Sequence, residues 1–132
     1  MIDFDLEIQK VHPINLKEIE LNQYRIDDDA KKAIILYNAA IGYIKKGNSD
    51  LAINDLKKAL SYNKDFTEAI KLMGLCYVIM KEYRKEEKTF KKLNKYVIYN
   101  ELVNEYMQSL GIKKSMPVNI TIAEASKNIS NN

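Results

Sequence analysis

The chain has 132 residues, of which 46% are hydrophobic and 30% charged, with a formal net charge of +3. These are the proportions of one ordinary water-facing globular domain. A single cysteine, Cys76, excludes an internal disulfide, and no apolar run approaches the ~18 residues that cross a membrane.

The acidic start, Met1-Ile-Asp-Phe-Asp-Leu-Glu, lacks the basic then apolar order of a secretory signal, so a cytoplasmic location is expected. The small net charge hides an asymmetry. Residues 1–30 hold eight acids against three bases, and the remaining 102 hold ten acids against eighteen bases. An acidic arm thus precedes a basic body, which either receives the arm or faces acidic partners.

Residues 1–26 read as that arm. Ile2, Phe4, Leu6 and Ile8 alternate with polar residues, the pattern of an extended segment with one buried face. A helix placing Phe4, Ile8 and Val11 on one side is the alternative. His12-Pro13 interrupts either form, because proline disfavours helix at the residue before it. A short helix over residues 15–21 then carries Leu16 and Ile19.

Asp27-Asp28-Asp29 opens the first long helix, where carboxylates accept from free N–H groups and face the positive end of the dipole. Gly47-Asn48 closes it near Lys46. The second helix runs from Ser49 or Asp50 to Tyr62. Asp65 and Glu68 form a capping-box pattern for a third helix over 66–80. That helix is apolar nearly all round over residues 72–80, so neighbours enclose it. A fourth helix is expected over residues 82–94, burying Tyr83, Phe90 and Leu93. A fifth is expected over 95–110, with Tyr99, Val103, Tyr106 and Leu110 on one face and Gly111 at its end. Residues 113–132 read as a polar tail or linker, with a short ordered patch at 118–122.

Residues 33–98 are one helical hairpin written twice with an offset of 34. Leu36 falls on Ile70, Ala39-Ala40 on Met73-Gly74, Tyr43 on Tyr77, Leu56 on Phe90, Ala59 on Leu93 and Tyr62 on Tyr96. Small residues at 40 and 74 allow two helices to approach closely. A period of 34 with two helices per unit resembles the tetratricopeptide repeat, with two clear copies and a partial third in the fifth helix. The tryptophan position is aliphatic and the terminal proline is missing in both copies. Glu86 stands where a small residue is expected, which suggests a looser or more exposed neighbour for the second copy.

The resemblance implies an all-α, tetratricopeptide-like stack of antiparallel helix hairpins over residues 27–112, with about five main helices. It also implies a non-enzymatic adaptor or scaffold that takes a partner protein or peptide along the surface of its first helices. Carried over by position, that surface is Ile34, Tyr37, Ile41, Ile44 and Lys45, then Glu68, Lys71, Leu75, Val78 and Ile79. Tyr37 and Ile41 replace the lysine and asparagine with which one subset of the family clamps a terminal carboxylate. An amphipathic helix or apolar extended peptide suits the trough better. On this reading Leu75→Glu weakens partner binding without unfolding the domain. The competing reading is that Phe4, Leu6 and Ile8 of the arm already plug the trough. Because two repeats leave open faces, helix five, the arm or a second copy of the chain must cover them. A homodimer is therefore the alternative function.

The lysines at 81, 85, 88, 92 and 95 share one helix face, which nucleic acid or an anionic membrane surface could use. Interleaved glutamates and scarce arginine favour a solvated face over nucleic acid, and no membrane-inserted segment is expected. No cofactor and no metal are expected, since there is no glycine-rich phosphate loop or metal-ligand spacing. His12 is the only histidine and precedes a proline, and mid-helix Cys76 reads as a small buried hydrophobe, so no catalytic residue is assigned.

Overall fold

A computed structural model describes residues 1–22 and 25–115, with side chains described up to residue 111. Among them helix is the only regular structure. The helices are α1 (Phe4–Gln9), α2 (Leu16–Leu21), α3 (Asp28–Lys45), α4 (Ser49–Tyr62), α5 (Thr67–Ile79), α6 (Tyr83–Leu93) and α7 (Asn100–Ser115), with a 3-10 turn at Val97–Tyr99. The all-α class is as expected. No described helix is long and apolar enough to cross a membrane.

Two hairpins, α3 with α4 and α5 with α6, stack through contact of α4 with α5. The 34-residue register survives in the backbone: α3 and α5 end at Lys45 and Ile79, and α4 and α6 begin at Ser49 and Tyr83. Even the turns repeat. Asn48 N–H donates to the Tyr43 carbonyl at 2.9 Å and Gly47 N–H to that of Ile44, also at 2.9 Å. In the second copy Glu82 N–H donates to Tyr77 at 2.9 Å and Lys81 N–H to Val78 at 3.0 Å. These bonds satisfy carbonyls that a helix end leaves orphaned, and they require a left-handed residue between them. Gly47 supplies it at φ 79°, whereas Lys81 is forced there at φ 58°, at a cost of about 1 kcal/mol.

Alanines make the first core tight. Ala33, Ala40, Ala52, Ala59 and Ala69 are all fully buried, which lets α3, α4 and α5 approach around Tyr37, Leu56, Leu72 and Cys76. Phe66 closes this core, its ring 5.0 Å from that of Tyr37. The second core joins Leu75 and Val78 to Phe90, Leu93, Val103, Tyr106 and Leu110, with Phe4 of the arm among them. Helix α5 belongs to both cores and is buried at Ala69, Ile70 and every position from 72 to 78. Gly74 sets the α5–α6 spacing, since a Cβ there would lie 2.8 Å or less from three carbons of the Phe90 ring.

Five expectations need correction. Residues 4–9 are helical rather than extended. Asp3 caps α1 by accepting from Leu6 N–H at 3.2 Å, and no strand edge is present among the described residues to pair an extended arm. Phe4 is therefore buried while Leu6 is 48% exposed, so Leu6 plugs nothing. The capping box at Asp65 does not form, because its carboxylate accepts from the Tyr96 hydroxyl at 2.7 Å and buried Phe66 takes the cap position. Gly111 lies inside α7, which continues to Ser115, and Glu86 is fully buried rather than loosely packed. The tail expected at 113–132, with its patch at 118–122, lies outside the described residues from 116 onward.

Candidate functional site

The trough-forming helices α3 and α5, together with α7, hold the N-terminal segment. The segment is fixed at its two ends by side chains that bind its backbone. At the start, Ile2 N–H donates to Ser109 Oγ of α7 at 3.0 Å. At the end, Ile14 N–H donates to Asn38 Oδ1 of α3 at 2.8 Å, and Asn38 Nδ2 donates back to the Ile14 carbonyl at 2.9 Å. An amide side chain that answers both polar groups of one residue replaces the pairing a neighbouring strand would give.

Between these ends lie the apolar anchors. Phe4 sits edge-on to Tyr106 at 5.4 Å, and Tyr106 in turn meets Phe90 at 5.4 Å. Ile2 and Ile8 pack beside Phe4 on the second core, and Val11 and Ile14 on the first. The Tyr106 hydroxyl donates to Glu7 Oε2 at 2.8 Å. Burial first, and that hydrogen bond second, raise the Tyr106 phenol well above its ordinary value. Further along, a surface ion pair joins α2 to α3, with Lys31 Nζ 3.3 Å from Glu20 Oε1.

The structure divides the trough residues into four groups. Leu75 and Val78 are fully buried beneath α1, α6 and α7 and present nothing to solvent. Leu75 is core, so the expectation that Leu75→Glu spares the fold is replaced by one of unfolding. Ile41, Ile44, Lys45 and Ile79 border an open cleft of about 560 Å³ between the arm and helices α3 and α5. Its other walls include Ile8, Val11, Leu72, Asp5 and Gln9, which makes it an apolar slot with charged lips. Tyr37 and Lys71 border a smaller depression of about 200 Å³ with Glu7, Lys10, His12, Glu68 and Tyr99. Desolvation, then the charge of Glu68, pushes the Tyr37 phenol up to about 12. Ile34 is half-buried against the first core and reaches neither cleft.

Sequence reasoning missed Asn38 and Ser109, which clamp the arm's backbone. Neither stands out, because single polar residues on helices have many ordinary roles. Phe4, Ile8 and Val11 did leave a signal in their 4-then-3 spacing, the period of one helix face. Cys76, buried in the first core, has its thiol pushed up to about 12 by desolvation and is chemically quiet. Among the described residues no cluster of three or more His, Cys, Asp or Glu side chains is placed to hold a metal ion.

Comparison of the chain with known protein families, curated proteins and solved structures finds no match.

Proposed function

We propose that this chain is a tetratricopeptide-like protein-interaction module without catalytic activity, whose peptide-binding face is occupied at rest by its own residues 2–14. The observation that carries this reading is the two-point backbone clamp, Ser109 on Ile2 and Asn38 on Ile14, with apolar anchors docked between. Side chains that bind main-chain groups recognise the course of a segment, while the pockets between them choose its side chains. A partner carrying similar chemistry, an aromatic followed at helical spacing by aliphatics and flanked by acids, competes with the arm for the same face. The 34-residue repeat of helix ends and turns supports the family assignment. The cytoplasm is the proposed compartment, in keeping with a lone, buried cysteine.

The test uses the full chain and a labelled peptide with the sequence of residues 1–15. Phe4→Ala in the chain loosens the arm, so the peptide should bind this variant at least ~10-fold more tightly than wild type, a gain of about 1.4 kcal/mol. Adding Asn38→Ala should remove most of that gain. Absence of binding to both proteins makes the arm a permanent part of the fold and overturns the proposal. A concentration-dependent dimer of the wild-type chain, lost on Phe4→Ala, would instead favour exchange of arms between two copies.

A further inference from the structure

The surface formed by α4, α5 and α6 carries a feature that the peptide-binding reading does not use. Two shallow depressions, of about 400 and 310 Å³, lie between α4, α5 and α6 and share Leu60 and Lys92 in their linings. Around them stand six exposed lysines, Lys57, Lys64, Lys85, Lys88, Lys92 and Lys95. Asp65 is the one acid in either lining, and it is taken up by the Tyr96 hydroxyl at 2.7 Å. From Lys88 to Asn100 the sequence contains no acid at all. Near its end this run holds two adjacent apolar residues, Val97 and Ile98, that are 84% and 86% exposed.

We infer that this side adsorbs to an anionic lipid surface, with the lysines meeting headgroup phosphates and Val97 and Ile98 entering the outer edge of the bilayer. Charge alone fits any polyanion, and the apolar pair decides between them. Two neighbouring aliphatic side chains held in water just after a lysine-rich stretch gain from hydrocarbon and gain nothing from a phosphate backbone. Nucleic acid is further disfavoured by the chemistry available. Bases are stacked by exposed aromatics, but of the two aromatics in these linings Tyr77 is buried and Tyr96 is half-buried with its hydroxyl engaged. Adsorption of this kind needs no spanning helix. Each lysine near an anionic leaflet adds roughly fivefold to binding, so several together hold a small domain while two aliphatic side chains fix its orientation.

The experiment is sedimentation of the full chain with phosphatidylcholine vesicles, with and without phosphatidylserine. The expected result is binding only to the phosphatidylserine vesicles, weakened by added salt. Val97→Ser with Ile98→Ser should reduce that binding at least ~10-fold, as should Lys92→Glu with Lys95→Glu; all four side chains are exposed, so melting temperatures stay unchanged as a control. Failure to bind phosphatidylserine vesicles overturns the inference. So does binding that is indifferent to the Val97 and Ile98 substitutions, since that leaves charge alone. Tighter binding to a duplex oligonucleotide than to vesicles assigns the patch to nucleic acid. A dimer abolished by the Val97 and Ile98 substitutions assigns the apolar pair to a second copy.

Discussion

The two hairpins share a register, a turn and a pattern of buried positions, yet they end up in different surroundings. In the first, α3 keeps Ile35 57% exposed, and Ile44 borders an open cleft. In the second, α5 is sealed on nearly every side by α1, α4 and α6 and through the core it shares with α7. Local code is therefore the same in both copies, and burial is decided by what docks from outside the repeat. The consequence is that equivalent substitutions should have unequal effects.

The largest contrast is between Leu75 and Ile79, one turn apart on α5. Leu75→Glu strands a carboxylate in a sealed apolar core and should cost about 4 kcal/mol or more, unfolding the domain. Ile79→Glu, at a position 37% exposed on the cleft rim, should change stability by no more than about 0.5 kcal/mol. Urea titration of both variants checks this, and equal losses would break the comparison.

Glycines give the next contrast. Gly74→Ala drives a methyl into the Phe90 ring and should cost about 2 kcal/mol. Gly42→Ala, inside α3 with nothing near its Cβ, should gain about 0.5 to 1 kcal/mol from helix propensity. Opposite shifts in melting temperature are the expected readout.

The turns supply a smaller, sign-sensitive test. Lys81→Gly relieves a left-handed lysine and should stabilise by about 0.5 kcal/mol, while Gly47→Lys creates the same strain and should cost about 1 kcal/mol. If Lys81→Gly destabilises, the long side chain has a role beyond the turn.

A further effect appears only in alkali. The Cys76 thiol is raised from 9.0 to about 12, the Tyr37 phenol from 10.0 to about 12, and the Tyr106 phenol is raised as well. The folded state thus keeps protons that the unfolded chain releases, so stability is full below pH 9 and falls as pH climbs toward 12. Melting curves across that range should show the decline, less steep in Tyr106→Phe.

Much of the fold was legible because helix periodicity and turn chemistry are local. Asp27 does cap α3, its carboxylate accepting from Ala30 N–H at 2.7 Å, and Gly47 does close it. The all-round apolar stretch on α5 announced its enclosure. The arm was harder, since Ile2, Phe4, Leu6 and Ile8 satisfy an alternating pattern as well as a helical one over so few residues. What selected helix was the fit of Phe4 against Tyr106, 102 positions away in sequence. Asp65 was misread for a similar reason, because its partner Tyr96 lies 31 residues on, in the connection between α6 and α7. On the face that holds the arm, Leu75 and Val78 looked available only because their cover comes from α1 and α7.

Residues 2–14 lie clamped on α3, α5 and α7. Amide hydrogen exchange at Ile14 tests this most directly. That residue lies outside any helix, and its N–H is held by the Asn38 side chain at 2.8 Å. The amide should exchange far more slowly than in a free peptide, and Asn38→Ala should release it while α5 stays protected. Exchange at the free-peptide rate in the wild-type chain would show the arm undocked and contradict the account.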